Sequence, residues 1–241
     1  MAGIVLDKIV TDSLVLYVDA ANSRCYTSPS TSLKELTDTG TGSLIAGTGY
    51  SSSNLGAWTF DGTDDYIDLG TRLPSLGLTY PMSIDAWVNP TNIVDSGARG
   101  IFTGAANPTN TVYVGFNLLI SYPTYQIFTI IGDETGNGST NRRSLTSTNS
   151  ITPGVWNHVV ATVVSGPTFE IYINGTLSSG TTTGTGGALS WGTNATTQMG
   201  QGPGYPNKFN GSIASAKFYN KQLSASEVLQ NYNASKKRFG L

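Results

Sequence analysis

The sequence predicts an all-β protein, an antiparallel sandwich or jelly roll, on three observations. Glycine (29 residues), proline (10) and a Ser/Thr/Asn-rich remainder with only 12% charged residues favour many short strands and turns over helices. β-Branched and aromatic runs recur from residue 13 to 219, punctuated by clusters of Gly, Ser, Thr, Asn and Pro. The 4 Trp, 8 Phe and 12 Tyr supply a sizeable core, since each buried ring removes about 150–250 Å² from water. A length of 241 residues suits one sandwich, with an N-terminal arm or edge strand over 1–12 and a single domain over 13–241.

The elements follow in order. The first strand covers 14–19, and a polar, loop-like stretch from 21 to 53 comes next, long enough to be functional. A hairpin over 58–69 turns on Asp61-Gly62, because Gly62 takes a positive φ without a Cβ penalty. Strands follow at 82–88 and 100–103. The runs 112–120 and 125–131, joined by Ser121-Tyr122-Pro123-Thr124, form another hairpin. Residues 155–164 are rich in β-branched side chains. Residues 168–173 alternate, with Phe169, Ile171 and Ile173 on one face and Glu170 and Tyr172 on the other. Asn174-Gly175 supplies a type I′ turn. The Thr/Gly tract 178–187 is a surface loop or flexible hairpin tip, and 209–219 is the last strand. Ser224 and Glu227 stand at capping-box spacing and Val228, Leu229 and Tyr232 form an apolar stripe, which predicts a short C-terminal helix over about 225–235.

Composition also excludes partners. A formal net charge of −2 gives no reason to bind nucleic acid or an anionic membrane. The one basic cluster, Lys236-Lys237-Arg238, follows the helix, where cations meet the negative end of its dipole. Cys25 is alone, so neither an intrachain disulfide nor a Cys-based metal site forms. Apolar runs are strand-sized, which argues against membrane insertion. The first residues lack the basic and apolar regions of a secretory signal, so either export is not needed or a leader lies outside the sequence.

Several blocks match one family in order. They are 16–20 (Leu-Tyr-Val-Asp-Ala), Phe60-Asp61-Gly62 with Asp64-Asp65-Tyr66-Ile67, Ile84 with Ala86-Trp87-Val88, Trp156-Asn157-His158-Val159-Val160-Ala161, Ile171-Tyr172-Ile173-Asn174-Gly175, and Phe209-Asn210-Gly211-Ser212-Ile213 leading to Phe218-Tyr219. From about 14 to 234 the chain resembles the laminin-G-like, concanavalin A-like lectin/glucanase superfamily. The resemblance implies a two-sheet antiparallel jelly roll with binding sites on rim loops or the concave face. The early strand and the closing segment 227–241 are similar, more narrowly, to laminin-G-like structural proteins of tailed-phage virions. That implies synthesis in a host cytoplasm without a signal peptide and a place on the virion surface, as capsid decoration or tail-associated protein. The partners would be other virion proteins and host surface glycans.

The chemistry-bearing residues give three readings. Glycosidases need two carboxyl groups about 5–5.5 Å or 6.5–9.5 Å apart. The superfamily's glucanases carry a Glu-x-Asp-x-Glu-like array, and this chain has no match: Glu35, Glu134, Glu170 and Glu227 are scattered and Asp85 stands alone on its strand. His158, the only histidine, has a packing or backbone role, and nothing brings Cys25 to it as a nucleophile. The expectation is therefore a protein that is not an enzyme. For a metal, the resemblance implies Ca²⁺ at a sandwich rim, with Asp19 and Asp64 or Asp65 as matching residue types. Ala214 and Ser215 depart from the family's acidic pattern, and Asp61, Asp64 and Asp65 can instead accept backbone N–H groups in their own turn. For glycans, the candidates are Tyr205 with Asn207, Tyr122 with Tyr125, Tyr50, and Trp191, against the alternative that each packs beneath its own loop.

The expected function is a non-enzymatic virion surface protein with a lectin-like domain. The alternatives are a carbohydrate-binding module of a larger secreted protein and a glycoside hydrolase with an unrecognised site. Ile4-Val5-Leu6 and Ile9-Val10 are expected either to dock on a partner or a second copy of the chain, as a homo-oligomer, or to add an edge strand.

Overall fold

The computed structural model describes residues 8–106, 112–202 and 208–241. Its strands in chain order are β1 (Leu14–Asp19), β2 (Ser32–Lys34), β3 (Thr41–Ile45), β4 (Gly49–Ser51), β5 (Ala57–Asp61) and β6 (Tyr66–Asp68). Next come β7 (Met82–Pro90), β8 (Gly97–Ala106), β9 (Val114–Tyr122), β10 (Gln126–Asp133), β11 (Arg142–Ser150) and β12 (Asn157–Val164). The set closes with β13 (Thr168–Ile173), β14 (Thr176–Ser178), β15 (Gly180–Thr183), β16 (Thr196–Met199), β17 (Asn210–Tyr219) and the helix α1 (Ala225–Lys236).

They form two antiparallel sheets. One is ordered β14-β13-β12-β7-β17-β5-β4 with β1 also paired to β17, and the other is β15-β11-β10-β9-β8-β16-β6-β3-β2. The all-β sandwich and the C-terminal helix expected from sequence are both present. The polar stretch after β1 differs, because it folds into β2, β3 and β4, each too short for a pattern of alternation to register. Part of the Thr/Gly tract likewise pairs with β11 as β15.

Alternation places one face of every long strand between the sheets. Leu16, Val18, Trp58, Ile84, Val88 and Phe218 there meet Phe102, Phe116, Leu118, Ile120, Ile127 and Ile131, in one contiguous buried core. The outer face of the first sheet is also dry, because α1 lies on it. Val160, Tyr172 and Tyr219 pack with Val228 and Val10, and Trp87 stacks on Phe239 at 4.3 Å and on Tyr232 at 5.8 Å. Ser224 starts the helix with a full capping box, its Oγ accepting from Glu227 N–H and its own N–H donating to Glu227 Oε2 at 2.9 Å.

Under α1 lies a buried polar network. Lys217 Nζ is 2.7 Å from Asp85 Oδ1, while His158 Nε2 at 3.1 Å and Asn231 Nδ2 at 2.8 Å face Oδ2. Burial alone would raise the Asp85 carboxyl, but Lys217 and His158 outweigh it and hold the group well below the usual carboxylate range. Asn231 also accepts from Val10 N–H at 2.7 Å, so residues 9–10 are fastened to the chain's own helix rather than added to a sheet edge. Ile4, Val5 and Leu6 lie outside the described residues.

Candidate functional site

The excursion between β1 and β5, residues 20–56, supplies the edge strands β2 and β3 of one sheet and β4 of the other, and carries several depressions of the described surface. Its backbone is fixed locally. Asp19 Oδ1 accepts from Ala21 N–H, Lys34 N–H donates to Cys25 O, and Leu36 N–H donates to Tyr17 O on β1. Its two feet are tied together by one side chain from beyond α1. Arg238 pairs with Asp19 at 2.8 Å and donates to the carbonyls of Asn54 and Gly56. Gly56, at φ 137°, lies so close to the Ala20 carbonyl and the Tyr50 hydroxyl that a Cβ there would sit 2.6 and 2.8 Å from them.

One depression is a cleft of about 500 Å³ lined by Ser23, Arg24, Lys34, Glu35, Asp38 and Thr39. Its floor is an ion triad. Arg72 Nε is 3.0 Å from Glu35 Oε2, and Arg72 Nη2 is 3.3 Å from Asp38 Oδ2. Burial pushes the Glu35 carboxyl up and Arg72 opposes that shift. Glu35 Oε1 is buried without a hydrogen-bond partner and faces Gly40, where an added Cβ would lie 2.5 Å away.

The cleft continues past Arg24 and Lys34 through a smaller depression of about 230 Å³ that reaches Tyr26 and Ser30. It ends in a third, of about 270 Å³, whose walls include Tyr26, Ser28, Thr31, Gly47 and Tyr50. The two tyrosine rings are 5.1 Å apart at 42°, and Tyr26 is set edge-on to the core Trp58 at 5.9 Å. Tyr50 is half-buried, Tyr26 nearly fully so. Together the depressions make a polar groove with charge at one end and aromatic faces at the other.

The acidic turn borders the aromatic end. Carboxylate oxygens of Asp61, Asp64 and Asp65 come within 4.8 Å of one another, a donor set that suits a hard divalent cation weakly. Part of that capacity is already used: Asp61 Oδ1 accepts from Thr63 N–H at 2.7 Å, and Asp65 Oδ2 from Asp61 N–H at 3.0 Å. The Thr63 bond lowers the Asp61 pKa, whereas burial raises that of Asp65. Gly62 holds φ 82°, as the turn requires, but the expected hairpin over 58–69 does not form: β5 pairs with β17 and β4 in one sheet and β6 with β16 and β3 in the other, so the turn carries the chain between the sheets. Asp19 is not part of this cluster, being committed to Arg238, Ala21 N–H and the Tyr17 hydroxyl.

Of the expected glycan contacts, Tyr50 lines the groove, while Tyr122, Tyr125 and Trp191 fall elsewhere. Tyr122 is 4% exposed, edge-on to Tyr125 at 4.9 Å, with the Arg99 guanidinium over its ring. Trp191 turns inward, donating to Leu78 O at 2.6 Å and packing near Phe218. Both therefore pack beneath their loops. Tyr205 and Asn207 lie outside the described residues. Cys25 is buried and its thiol is pushed up to about 11 by desolvation, so it offers no thiolate near neutral pH. Asp85, which looked solitary, is the centre of the buried network with His158. The residues that sequence reasoning missed are Glu35, Arg72, Asp38, Tyr26 and Arg238. The length and polarity of the 21–53 stretch signalled Tyr26, Glu35 and Asp38; Arg72 and Arg238 lie outside it, and no local signal marked them.

Solved structures share this architecture at low identity. Trypanosoma rangeli sialidase matches with a TM-score of 0.66 and 16% identity over 95% of this chain and 34% of that one, so the chain spans about a third of its length. Domain 4 of the GH43 extracellular arabinanase AbnA from Geobacillus stearothermophilus, solved in complex with arabinotriose, matches at 0.62 and 17%, over 91% of this chain and 98% of the domain. The binding domain of Paraclostridial Mosquitocidal Protein 1 matches at 0.67 and 14%, over 92% and 52%. No curated protein matches by sequence. These likenesses are ones of fold, and they correct one expectation. The exclusion of enzymatic activity does not stand, because the structures that share the fold include sialidases and a piece of an arabinanase. A family model described as the concanavalin A-like lectin/glucanases superfamily (Laminin_G_3) matches residues 61–229, from the acidic turn into α1 and more than half of the chain, so the chain belongs to that laminin G-like family.

Proposed function

We propose that the chain binds an oligosaccharide along the rim groove of the 20–56 excursion. The observation that carries this reading is the groove itself, a polar channel that ends on the half-buried Tyr50 ring, backed by the buried Tyr26. Sugar rings present apolar C–H faces and a girdle of hydroxyls. An aromatic face beside hydroxyl, amide and charged groups answers both, and a depression of this size lies in the range of small-ligand sites. The arabinanase domain solved with arabinotriose supports the reading by sharing the fold over nearly its whole length.

Calorimetric titration with a panel of tri- and tetrasaccharides, arabinotriose included, tests it. Binding that Tyr50→Ala weakens at least about tenfold, with the fold intact, is the expected result. Binding untouched by Tyr50→Ala, or no binding across the panel, refutes it.

Presentation of this groove on a virion, beside other capsid or tail proteins and facing host surface glycans, rests on the resemblance of 16–20 and 227–241. The two segments are joined by the Arg238–Asp19 pair. Detection of the chain by mass spectrometry of purified particles supports that placement, and its absence from them removes it.

A further inference from the structure

The groove has a charge imbalance that its acidic residues conceal. Glu35 and Asp38 are the carboxylates among its lining residues, and both face the same guanidinium, that of Arg72. Arg24 and Lys34 line both the main cleft and the depression beside it, and neither forms an ion pair among the described residues. The bond from Lys34 N–H to Cys25 O, 2.8 Å, ties the backbone of residue 34 to the residue after Arg24, and both side chains line the same two depressions. Two like charges lining one cleft without a counter-ion repel each other, and an anion bound by both relieves the repulsion. With Arg72 counted, three cations face the two carboxylates, so the cleft carries one net positive charge in a chain whose net charge is −2.

We infer that the groove selects a carboxylate-bearing saccharide, its acid group seated between Arg24 and Lys34 and its sugar rings running toward Tyr26 and Tyr50. The inference rests on the oligosaccharide reading above and names its ligand class. A uronic acid or a sialic acid supplies the same carboxylate, and Arg24 offers it a two-pronged guanidinium while Lys34 offers a point charge.

The test compares matched probes by calorimetry: trigalacturonate and sialyllactose against arabinotriose and lactose, in 20 and 200 mM salt. At low salt an acidic probe should bind about tenfold tighter than the neutral ones, and the preference should shrink at 200 mM, where the Debye length falls below about 10 Å. The double variant Arg24→Ala/Lys34→Ala should bring the acidic-to-neutral ratio close to one. Trigalacturonate and sialyllactose separate uronic from sialic sources. If neutral probes bind as tightly as acidic ones, or the ratio survives the double variant, the inference is overturned while the oligosaccharide reading stands. If no probe binds, both fall. Arg24 and Lys34 are exposed, so circular dichroism of the double variant should overlay the parent, and an altered spectrum moves the test to the single variants.

Discussion

Arg238→Ala should loosen the groove from a distance, because this one guanidinium ties both feet of the excursion. The ion pair with Asp19 is only 11% and 15% exposed on its two side chains, so it is screened less than a surface pair. Losing one charge-assisted hydrogen bond of this kind costs about 1–2 kcal/mol. Gly56 is buried, and its carbonyl would lose the guanidinium as a donor, adding about 1–2 kcal/mol, the low end because the deleted side chain admits water. Asn54 is exposed and its carbonyl rehydrates at little cost. The sum is about 2–4 kcal/mol. Urea unfolding followed by tryptophan fluorescence would measure it as a fall in midpoint at unchanged slope. Arg238→Lys should recover less than half, since one ammonium cannot serve three acceptors. A double-mutant cycle with Asp19→Asn should return a coupling near 1 kcal/mol. Saccharide affinity should fall in parallel, because Gly56 abuts the Tyr50 hydroxyl and Ala20. A stability loss below about 0.5 kcal/mol would refute the clamp.

Three further perturbations probe the supporting network and the floor. Lys217→Met strips the fully buried Asp85 of its ammonium and should cost about 3–5 kcal/mol by thermal or urea unfolding; a loss under about 1 kcal/mol would mean that His158 and Asn231 suffice. Glu35 has a folded pKa raised above its ordinary 4.5, so the stability it contributes is present below that pH and is lost as pH rises through the folded value. The wild-type stability minus that of Glu35→Gln should therefore decline between pH 4 and 7, and a flat difference counts against it. Gly40→Ala places a methyl 2.5 Å from Glu35 Oε1 and should displace the carboxylate from Arg72, with a loss of about 1–3 kcal/mol and weaker saccharide binding. A neutral outcome on both would show that the floor yields freely.

The parts of this fold that were legible in sequence are those whose signal is local. The capping box at Ser224 and Glu227 and the alternation of 168–173 are each written within a few residues. Asp85 shows where local reading stops. Residues 82–88 are all buried, because the core covers one face and α1 the other, so alternation could not mark Asp85 as facing a partner. Its partner is Lys217, directly opposite it in the β7–β17 register. A lone aspartate and a lone lysine, each interrupting an apolar strand, were the available signal, and only strand order could join them. The same holds for the groove. Glu35 meets Arg72 from 37 residues away, and Asp19 meets Arg238 from 219.

That distance bears on why the proposed site lies in the excursion and not on the acidic turn that the sequence advertises. A strand packed on both faces has each side chain assigned to core or helix, and changing one disturbs a neighbour on either side. The 61–65 turn is constrained too, since its carboxylates hold their own backbone and Gly62 abuts Asn210. Residues 20–56 carry short strands with open flanks, so their side chains are free to meet solvent and ligand. Such a segment has little core of its own and must be held at its ends. α1 provides the hold: its inner face is fixed by Asn231 on Asp85 and by the aromatic stack on Trp87, and its continuation delivers Arg238 to Asp19 and Gly56. The buried charges beneath the helix thus set the position of the groove, and loosening them should lower affinity before it unfolds the sandwich.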